Sequence, residues 1–327
     1  MDGSQRNLRV LVAVLLTSAL VCICLGSRSY SPAQVARLMT GAGDETQRMI
    51  LLGFRLPRVL LAGLVGVGLG VSGLLMQCSL RNDLADPGMM GVSAGSSLGI
   101  MAAFVLGGVM SPWTLPAISM LCAMATVLLV CLLAHEEPAP SPTRLLLTGV
   151  AVSAAISAAT LVVSLQVDRR AYAQAVAWAA GSFAKSDWNY VTALAIFLGL
   201  ALPALWSLHA IMDVLRLRDD AATALGVSVP FWRMSVLLAG VGTGAASMSV
   251  VGSMAFVGLL APHIGRRLAG PSHSRALPAS ALVGSTVVVV ADTLGRTVFQ
   301  PVEVPAGVIA SALGGCYFLC LLMTSRG

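Results

Sequence analysis

The chain has 327 residues, of which 57% are hydrophobic and 10% are charged, and its formal net charge is +6. Soluble domains carry about a quarter charged residues, so this composition excludes a soluble protein and indicates an integral membrane protein in contact with lipid. The basic residues are nearly all arginines scattered along the chain, whereas a nucleic-acid surface needs clustered basic side chains. We therefore expect no nucleic-acid partner.

Apolar runs bounded by proline, glycine or charge predict an all-α polytopic protein with ten transmembrane helices. Ten spans of about 20 residues use roughly 200 positions, so we expect a single transmembrane domain over 1–327. The first run resembles a secretory signal without a cleavage site, and we interpret it as a retained helix. The eighth run is short, and we expect it to be bent or incomplete. The predicted spans are 8–26, 58–80, 91–108, 113–134, 144–164, 188–208, 231–250, 253–268, 276–294 and 305–323.

An even number of spans places both termini on one side of the membrane, which we expect to be the cytoplasm. The basic residues then divide almost evenly between the two sides, a weak bias by the positive-inside rule. The sequence V-L-L-A-G at 59–63 recurs at 236–240, five spans later, so the two copies cross in opposite directions. This spacing is typical of inverted-topology repeats, here helices 1–5 and 6–10. A chance match within low-complexity apolar sequence is the alternative.

Glycine spacing in the same two helices predicts close helix packing. Gly66 and Gly70 are four residues apart, as are Gly240 and Gly244. Small residues at this spacing let helix backbones approach each other where lipid provides no hydrophobic drive. The pattern indicates a bundle of helices but says nothing about a substrate.

The sequence contains no motif for catalysis or metal binding in a suitable context. There is no H-E-x-x-H zinc motif, and the two G-x-S-x-G matches, at 91–95 and 95–99, lie in an apolar run rather than on the strand-to-helix turn of a nucleophile elbow. The seven cysteines lie in or beside apolar runs, and we interpret them as packing residues. Lys185 follows Ala184 rather than the glycine of a phosphate-binding loop. We therefore expect no catalytic residue, metal site or bound cofactor, and any ATP used is hydrolysed by a partner.

Asp292 is the one clear acidic residue within an apolar run, and carboxylates at such positions often mark ion-coupled transport. Arg296 follows one helical turn later, so the spacing favours a local ion pair over a proton relay. An ion-coupled secondary carrier stays open as an alternative function. A membrane enzyme is a further alternative, which the missing catalytic motifs disfavour.

The hydrophilic segment 209–230 contains a predicted short amphipathic helix that ends at Gly226. On the expected topology this segment lies at the cytoplasmic face, where a soluble partner could bind it. A helix lying on the lipid surface is the alternative, which the mixed Arg/Asp face disfavours because such helices are rich in Lys and Arg. The apolar residues that share the other face are Leu217, Ala221, Ala224 and Leu225.

Six motifs follow one another along the chain. They are R-L-P-R at 55–58, N-x-L-A-x-P-G-x-x-G-V-S at 82–93, R-L-L-L-x-G at 144–149, A-x-x-L-G-V at 222–227, F-V-G-L-x-x-P-H-I at 256–264, and A-D-x-x-x-R with E-V-P-x-G at 291–307. With them, nearly the whole chain resembles the permease subunits of binding-protein-dependent ABC importers for iron–siderophores, haem and cobalamin, the FecCD family.

This resemblance implies a transport subunit in the bacterial cytoplasmic (inner) membrane, with ten helices and both termini in the cytoplasm. It implies a second permease subunit, identical or paralogous, two cytoplasmic ATP-binding subunits and an extracytoplasmic substrate-binding protein. We expect iron–siderophore complexes as the substrate, with cobalamin or haem as alternatives.

The resemblance also implies roles for three groups of residues. Outward-facing arginines would pair with glutamates of the binding protein, since a guanidinium holds a carboxylate bidentately. The candidate docking residues are Arg55, Arg58 and Arg296. The candidate ATPase-coupling residues are Leu217, Asp219, Asp220, Ala221, Leu225 and Gly226. The candidate cytoplasmic gate residues are Asn82, Leu84, Pro142 and Thr143, beside an Asp83 where the family commonly has proline.

Overall fold

A computed structural model describes residues 3–26, 29–41, 43–105, 113–135 and 141–324. Within these ranges the chain is helical and has no β-strand. A π-helical segment, Ile50–Arg55, leads into α4, and a 3-10 turn, Pro87–Met90, precedes α5. The α-helices are α1 Gly3–Cys24, α2 Pro32–Met39, α3 Glu45–Met49, α4 Leu56–Leu80, α5 Val92–Val105, α6 Thr114–Leu133, α7 Pro142–Ser164, α8 Arg169–Ala179, α9 Trp188–Ser207, α10 His209–Leu215, α11 Asp219–Ala224, α12 Val229–Val251, α13 Val257–Ala269, α14 His273–Thr297 and α15 Ala306–Thr324.

Each of the ten predicted spans corresponds to one helix: α1, α4, α5, α6, α7, α9, α12, α13, α14 and α15. Seven helices in the described ranges are long and apolar enough to cross a membrane, whereas α5, α13 and α15 are shorter. Residues 106–108 of the third predicted span lie outside the described residues. Of the other five helices, α11 is the short amphipathic helix predicted before Gly226, whereas α2, α3, α8 and α10 lie in segments for which the sequence predicted no helix.

The eighth span is incomplete, as predicted. It begins only at Val257, because Gly252 and Phe256 have positive φ angles of 91° and 67°, which interrupt the helix between α12 and α13. The helix α13 then has 13 residues, with Pro262 inside it. A 13-residue helix is about 20 Å long and is too short to cross the hydrocarbon core by itself.

Helix α4 lies at the centre of the bundle, with α12, α13 and α14 packed around it. Its glycines make this possible. A Cβ on Gly66 would overlap the backbone of Gly284 in α14, and one on Gly70 would overlap the carbonyl of Ser280. Main chains in contact at such positions exclude any larger residue. The close contact predicted from Gly66 and Gly70 is therefore confirmed.

Helix α12 packs on another face of α4 through Gly240 and Gly244. The Ser72 hydroxyl of α4 donates to the Gly240 carbonyl at 2.5 Å, and a Cβ on Gly244 would meet the same hydroxyl. Ser79, further along α4, donates to the carbonyl of Arg233, at the start of α12. This order of contacts means that α4 and α12 run antiparallel, as expected of the two V-L-L-A-G copies. The inverted repeat over both halves of the chain stays a prediction.

The two ends of the bundle are distinguished below as the outer end, where α4 begins, and the inner end, where α4 finishes. Helix α1 starts at the inner end, because Ser4 and Asn7 donate to the carbonyls of Ala269 and Leu268 at 3.1 and 2.7 Å. It ends at the outer end, at Cys24. Helix α14 also runs from the inner to the outer end, antiparallel to α4.

We expect Gly66→Ala to destabilise the bundle, because the new methyl group must push α14 away from α4. Overpacking of this kind costs about 1–3 kcal/mol. Thermal unfolding of the purified chain in detergent should therefore show a lower midpoint than the unmodified chain.

Gly242→Ala is the matched control, since a Cβ at this α12 glycine meets no atom within 4 Å. Alanine favours helix over glycine, so this variant should unfold at the same or a slightly higher temperature. Equal destabilisation by both substitutions would contradict the packing explanation.

Candidate functional site

The three candidate docking arginines come together at the outer end of the bundle, and we refer to Arg55, Arg58 and Arg296 as the arginine cluster. Arg55 ends the π-helical segment, Arg58 lies in the first turn of α4, and Arg296 lies in the last turn of α14. The end of α1 lies against them. Contact between α4 and α14 thus joins residues more than 230 positions apart.

Arg55 and Arg296 are buried because they hold the last carbonyls of α1. Arg55 donates to the carbonyl of Ile23 at 2.9 Å, and Arg296 donates to the carbonyl of Cys22. The final carbonyls of a helix lack partners within the helix and carry partial negative charge, so cations stabilise them. The Arg55 guanidinium also lies 4.6 Å above the ring centre of Tyr30. The exposed fractions are 7% for Arg55 and 9% for Arg296.

Arg58 binds two carboxylates. Its Nε and Nη2 donate to Asp292 at 2.9–3.1 Å, and its Nη1 and Nη2 donate to Oε2 of Glu303 at 3.2 Å. Asp292 also lies 3.7 Å from the Nε of Arg296, so the ion pair predicted from the sequence spacing is present. The bidentate partner, Arg58, was not predicted. A carboxylate held in this way is occupied by ion pairs, which argues against a proton relay at Asp292.

The structure therefore divides the arginine cluster into two kinds of residue. Arg55 and Arg296 do not face outward as the resemblance implied, because their guanidiniums are directed at α1. Arg58 keeps an edge near the surface, with 18% of its side chain exposed, beside a Glu303 that is 54% exposed. Glu303 is the first residue of the E-V-P-x-G motif, and this motif is the feature of the sequence that could have indicated a role for Glu303.

At the inner end, residues 209–226 contain α10 and α11 and the candidate ATPase-coupling residues, and we refer to them as the coupling segment. Met212, Leu215 and Ala222 are its buried anchors. Leu217 and Leu225 are 44% and 64% exposed, and Ala221 is exposed beside them. The apolar face predicted from the sequence is thus directed outward rather than into the bundle. Exposed apolar faces of this kind are typical of interaction surfaces.

Gly226 ends α11 as predicted. Its φ angle is +81°, its N–H donates to the carbonyl of Thr223 at 2.9 Å, and the next N–H, of Val227, donates to Ala222 at 3.2 Å. These two hydrogen bonds form a Schellman motif, which favours glycine because the left-handed conformation is strained for other residues. The exposed Leu225 is therefore held in a fixed turn.

Asp219 ties α11 to the core. Its Oδ1 lies 2.6 Å from the Nη2 of Arg81, at the end of α4, and 2.9 Å from the Nη2 of Arg233 in α12. Hydrogen bonding to Arg233 lowers the pKa of Asp219, with Arg81 adding to the effect. The neighbouring Asp220 is 93% exposed and lies 3.9 Å from Arg218. Asp219 therefore positions the coupling segment, whereas Asp220 projects from it.

A second anchor joins α10 to α14. Asp213 accepts hydrogen bonds from the main-chain N–H of His273 at 2.9 Å, from its Nδ1 at 2.6 Å, and from Ser272 at 3.0 Å. Partial burial raises the pKa of Asp213, but these hydrogen bonds outweigh it and the net shift is downward. A carboxylate at a helix N-terminus satisfies free N–H groups and favours the helix dipole. No motif in the sequence indicated a role for Asp213.

The candidate gate residues lie in two segments at the inner end. The Asn82 side chain accepts a hydrogen bond from the N–H of Leu84 at 2.9 Å, which forms a tight turn and leaves Leu84 52% exposed. Pro142 starts α7 behind its cap, Ser141, and Thr143 is exposed. Leu84 lines a cavity of about 340 Å³, and Pro142 lines a separate one of about 380 Å³.

Asp83 has a partner that explains an acidic residue at this position. Its carboxylate lies 2.9 Å from the Nη2 of Arg266 in α13, and the same nitrogen donates to the Gln77 side chain in α4 at 2.6 Å. A proline could not form this ion pair. The turn after α4 is therefore tied to the end of α13.

A cavity of about 410 Å³ with several hydroxyl groups in its lining lies beside α5 and α7. Hydroxyl groups within apolar helices are expected to face a water-filled path or another protein surface rather than lipid. The hydroxyl residues that line it are Ser93, Ser97, Ser153, Ser157, Thr160 and Ser253. Among the residues given a position here, no group of three His, Cys, Asp or Glu side chains could hold a metal ion, and the expectation of no metal site stays a prediction.

We expect Asp219→Asn to loosen the coupling segment, because it removes the charge that both Arg81 and Arg233 bind. Exposed ion pairs contribute roughly 0–1 kcal/mol, so amide hydrogen exchange over 209–226 should accelerate by roughly two- to fivefold. Asp220→Asn is the matched control, because it removes the same charge from a side chain that binds neither Arg81 nor Arg233. Equal acceleration in both variants would contradict the anchoring role.

A known protein family and several known proteins match this chain over nearly its full length. The FecCD transport family matches residues 13–324. The chain is 36% identical over 323 residues to the iron-uptake system permease protein FeuC of Bacillus subtilis (strain 168), covering 96% of each chain. It is 36% identical over 325 residues to the Fe(3+) dicitrate transport system permease protein FecD of Escherichia coli (strain K12), covering 98% of this chain and 100% of that one.

A solved ABC transporter of metal-chelate type, in an inward-facing conformation, has the same fold. It superposes with a TM-score of 0.87 at 29% identity, over 98% of this chain and 99% of that chain. The family pattern, the relatives and the fold therefore agree over nearly the full length. The chain belongs to the FecCD transport family.

Proposed function

We propose that this chain is the permease subunit of an ABC importer that carries iron–siderophore complexes across the bacterial cytoplasmic membrane. The observation that carries the proposal is the full-length match to iron-uptake permeases, together with an exposed coupling segment at one end of the bundle. The chain forms one transmembrane domain with both termini in the cytoplasm. It binds no cofactor, and ATP is used by separate subunits.

The coupling segment is the contact for two cytoplasmic ATP-binding subunits. Leu217 and Leu225 supply exposed apolar surface, and Asp219 transmits motion because it is bound to α4 and α12. Asp220 projects from the same segment and contributes charge to the contact. When ATP closes the two subunits, their displacement pulls on α10 and α11 and thereby on the helices around the substrate path.

The arginine cluster is the docking site for the extracytoplasmic substrate-binding protein. Arg58 is the direct contact, since its guanidinium has an edge near the surface. Arg55 and Arg296 act on docking through α1, whose end they hold in place. Charged groups at the rim of an interface steer association and fix the orientation of the partners.

The substrate passes between two permease subunits, identical or paralogous. The hydroxyl-lined cavity on α5 and α7 supports this route, because it offers hydrogen bonds to a polar chelate without a charged group to hold it. The turn at Asn82 and Leu84 and the start of α7 at Pro142 and Thr143 form the cytoplasmic gate. An ion-coupled carrier is not supported, because Asp292 is engaged by two arginines.

The decisive experiment is reconstitution of the permease with its ATPase and binding protein in lipid vesicles. We expect ATP-dependent uptake of a ferric siderophore, and none when the ATPase or the binding protein is left out. Uptake of haem or cobalamin instead would contradict the substrate assignment. Uptake without ATPase and binding protein would contradict the importer assignment altogether.

A variant isolates the coupling step in the same assay. Leu217→Ser with Leu225→Ser should release the ATPase and abolish uptake, while the binding protein still docks at the other end. Met39→Ser is the control, because Met39 is 55% exposed on α2 at the outer end.

We also expect Arg58→Lys to weaken docking by roughly tenfold. Lysine keeps the positive charge beside the buried Asp292 but lacks the guanidinium fork. The loss of one charge-assisted hydrogen bond, about 1.5–3 kcal/mol, is sufficient for this effect. Arg37→Lys, at an exposed position on α2, is the control. Binding is measured with the purified binding protein and the complex in nanodiscs, and unchanged affinity would contradict docking on Arg58.

A further inference from the structure

Arg58 is bound by two carboxylates that use different edges of its guanidinium. Asp292 is 2% exposed and occupies the edge formed by Nε and Nη2, with both carboxylate oxygens. Glu303 is 54% exposed and occupies the edge formed by Nη1 and Nη2, with only Oε2. A guanidinium presents two such edges to carboxylates, so both are taken in this structure.

The two ion pairs differ in how easily they break. The Asp292 pair is buried, and removing either partner would leave an uncompensated charge inside the protein. The Glu303 pair is longer, uses one oxygen, and lies in solvent, where ion pairs contribute little to stability. If Glu303 moves away, Asp292 still neutralises Arg58 and holds it in place. Only the edge formed by Nη1 and Nη2 is therefore available for exchange.

We propose that Glu303 occupies the position taken by an acidic side chain of the substrate-binding protein, and that docking displaces it. This inference rests on the docking site proposed above. An incoming carboxylate can place both oxygens on Nη1 and Nη2, whereas Glu303 places one, so the exchange favours the partner. Glu303 then acts as an internal competitor for the docking site.

The competition has a consequence for the transport cycle. In the undocked state Glu303 and Asp292 together compensate the charges of Arg58 and Arg296, so no strong positive site is left open to other anions. In the docked state Glu303 remains tethered close to Arg58 by the short connection between α14 and α15. Its return to Arg58 accelerates release of the emptied binding protein. The residue thus sets the affinity and the residence time of the partner.

The test is Glu303→Gln in the full complex with its ATPase, in nanodiscs, with the purified binding protein as the probe. We expect the affinity to rise by roughly two- to fivefold, the range for an exposed ion pair, mainly through slower dissociation. Glu45→Gln is the matched control, because Glu45 is an exposed acid in the first turn of α3. An equal gain in the control would overturn the inference, since it would reflect net charge alone.

A double substitution tests whether Glu303 acts through Arg58. In the Arg58→Lys background, Glu303→Gln should no longer raise the affinity, because the competition for the guanidinium edge is gone. If Arg58→Lys weakens docking but Glu303→Gln leaves the affinity of the unmodified complex unchanged or lower, only the competitor role is wrong. If Arg58→Lys leaves docking unchanged, the docking site itself is wrong and this inference falls with it.

Discussion

The contact between the backbones of α4 and α14 is the constraint on which both ends of this molecule depend. At Gly66, Gly70 and Gly284 no side chain of the glycine separates the two helices, so they meet main chain to main chain there. Each helix has 25 residues and is therefore about 37 Å long. Two rods of this length, fixed along their middle, also have fixed positions at their ends. The outer ends hold Arg58 against Asp292.

The inner ends of the same two helices are bound to the coupling segment. Arg81, at the end of α4, binds Asp219, and the start of α14 is capped by Asp213. A displacement of α10 and α11 therefore acts on the helices whose other ends form the arginine cluster. Packed helices of this kind move as units rather than deform, since protein interiors are close-packed. The fold thus provides a direct mechanical connection between the two candidate partner sites.

Structural features that depend only on residues close together in the sequence could be predicted from local sequence patterns. The ten apolar runs, the incomplete span before Gly270 and the end of α11 at Gly226 all follow from properties of a few consecutive residues. The pairing of Arg58 with Asp292 could not be predicted in this way, because it depends on how α4 and α14 pack. The burial of Arg55 and Arg296 likewise depends on where α1 ends. The motifs that contain these two arginines do not indicate the position of that helix end.

This burial also bears on the nearly even division of arginines between the two sides of the membrane. The positive-inside rule counts Lys and Arg in the short loops beside the spans, and these three arginines fall on the expected outer side. Arg55 and Arg296 are held by helix carbonyls, and Arg58 is compensated by Asp292 and Glu303. In the folded protein all three guanidiniums are bound by groups of the same chain. Their presence at the outer end therefore has a structural reason that is separate from the charge rule.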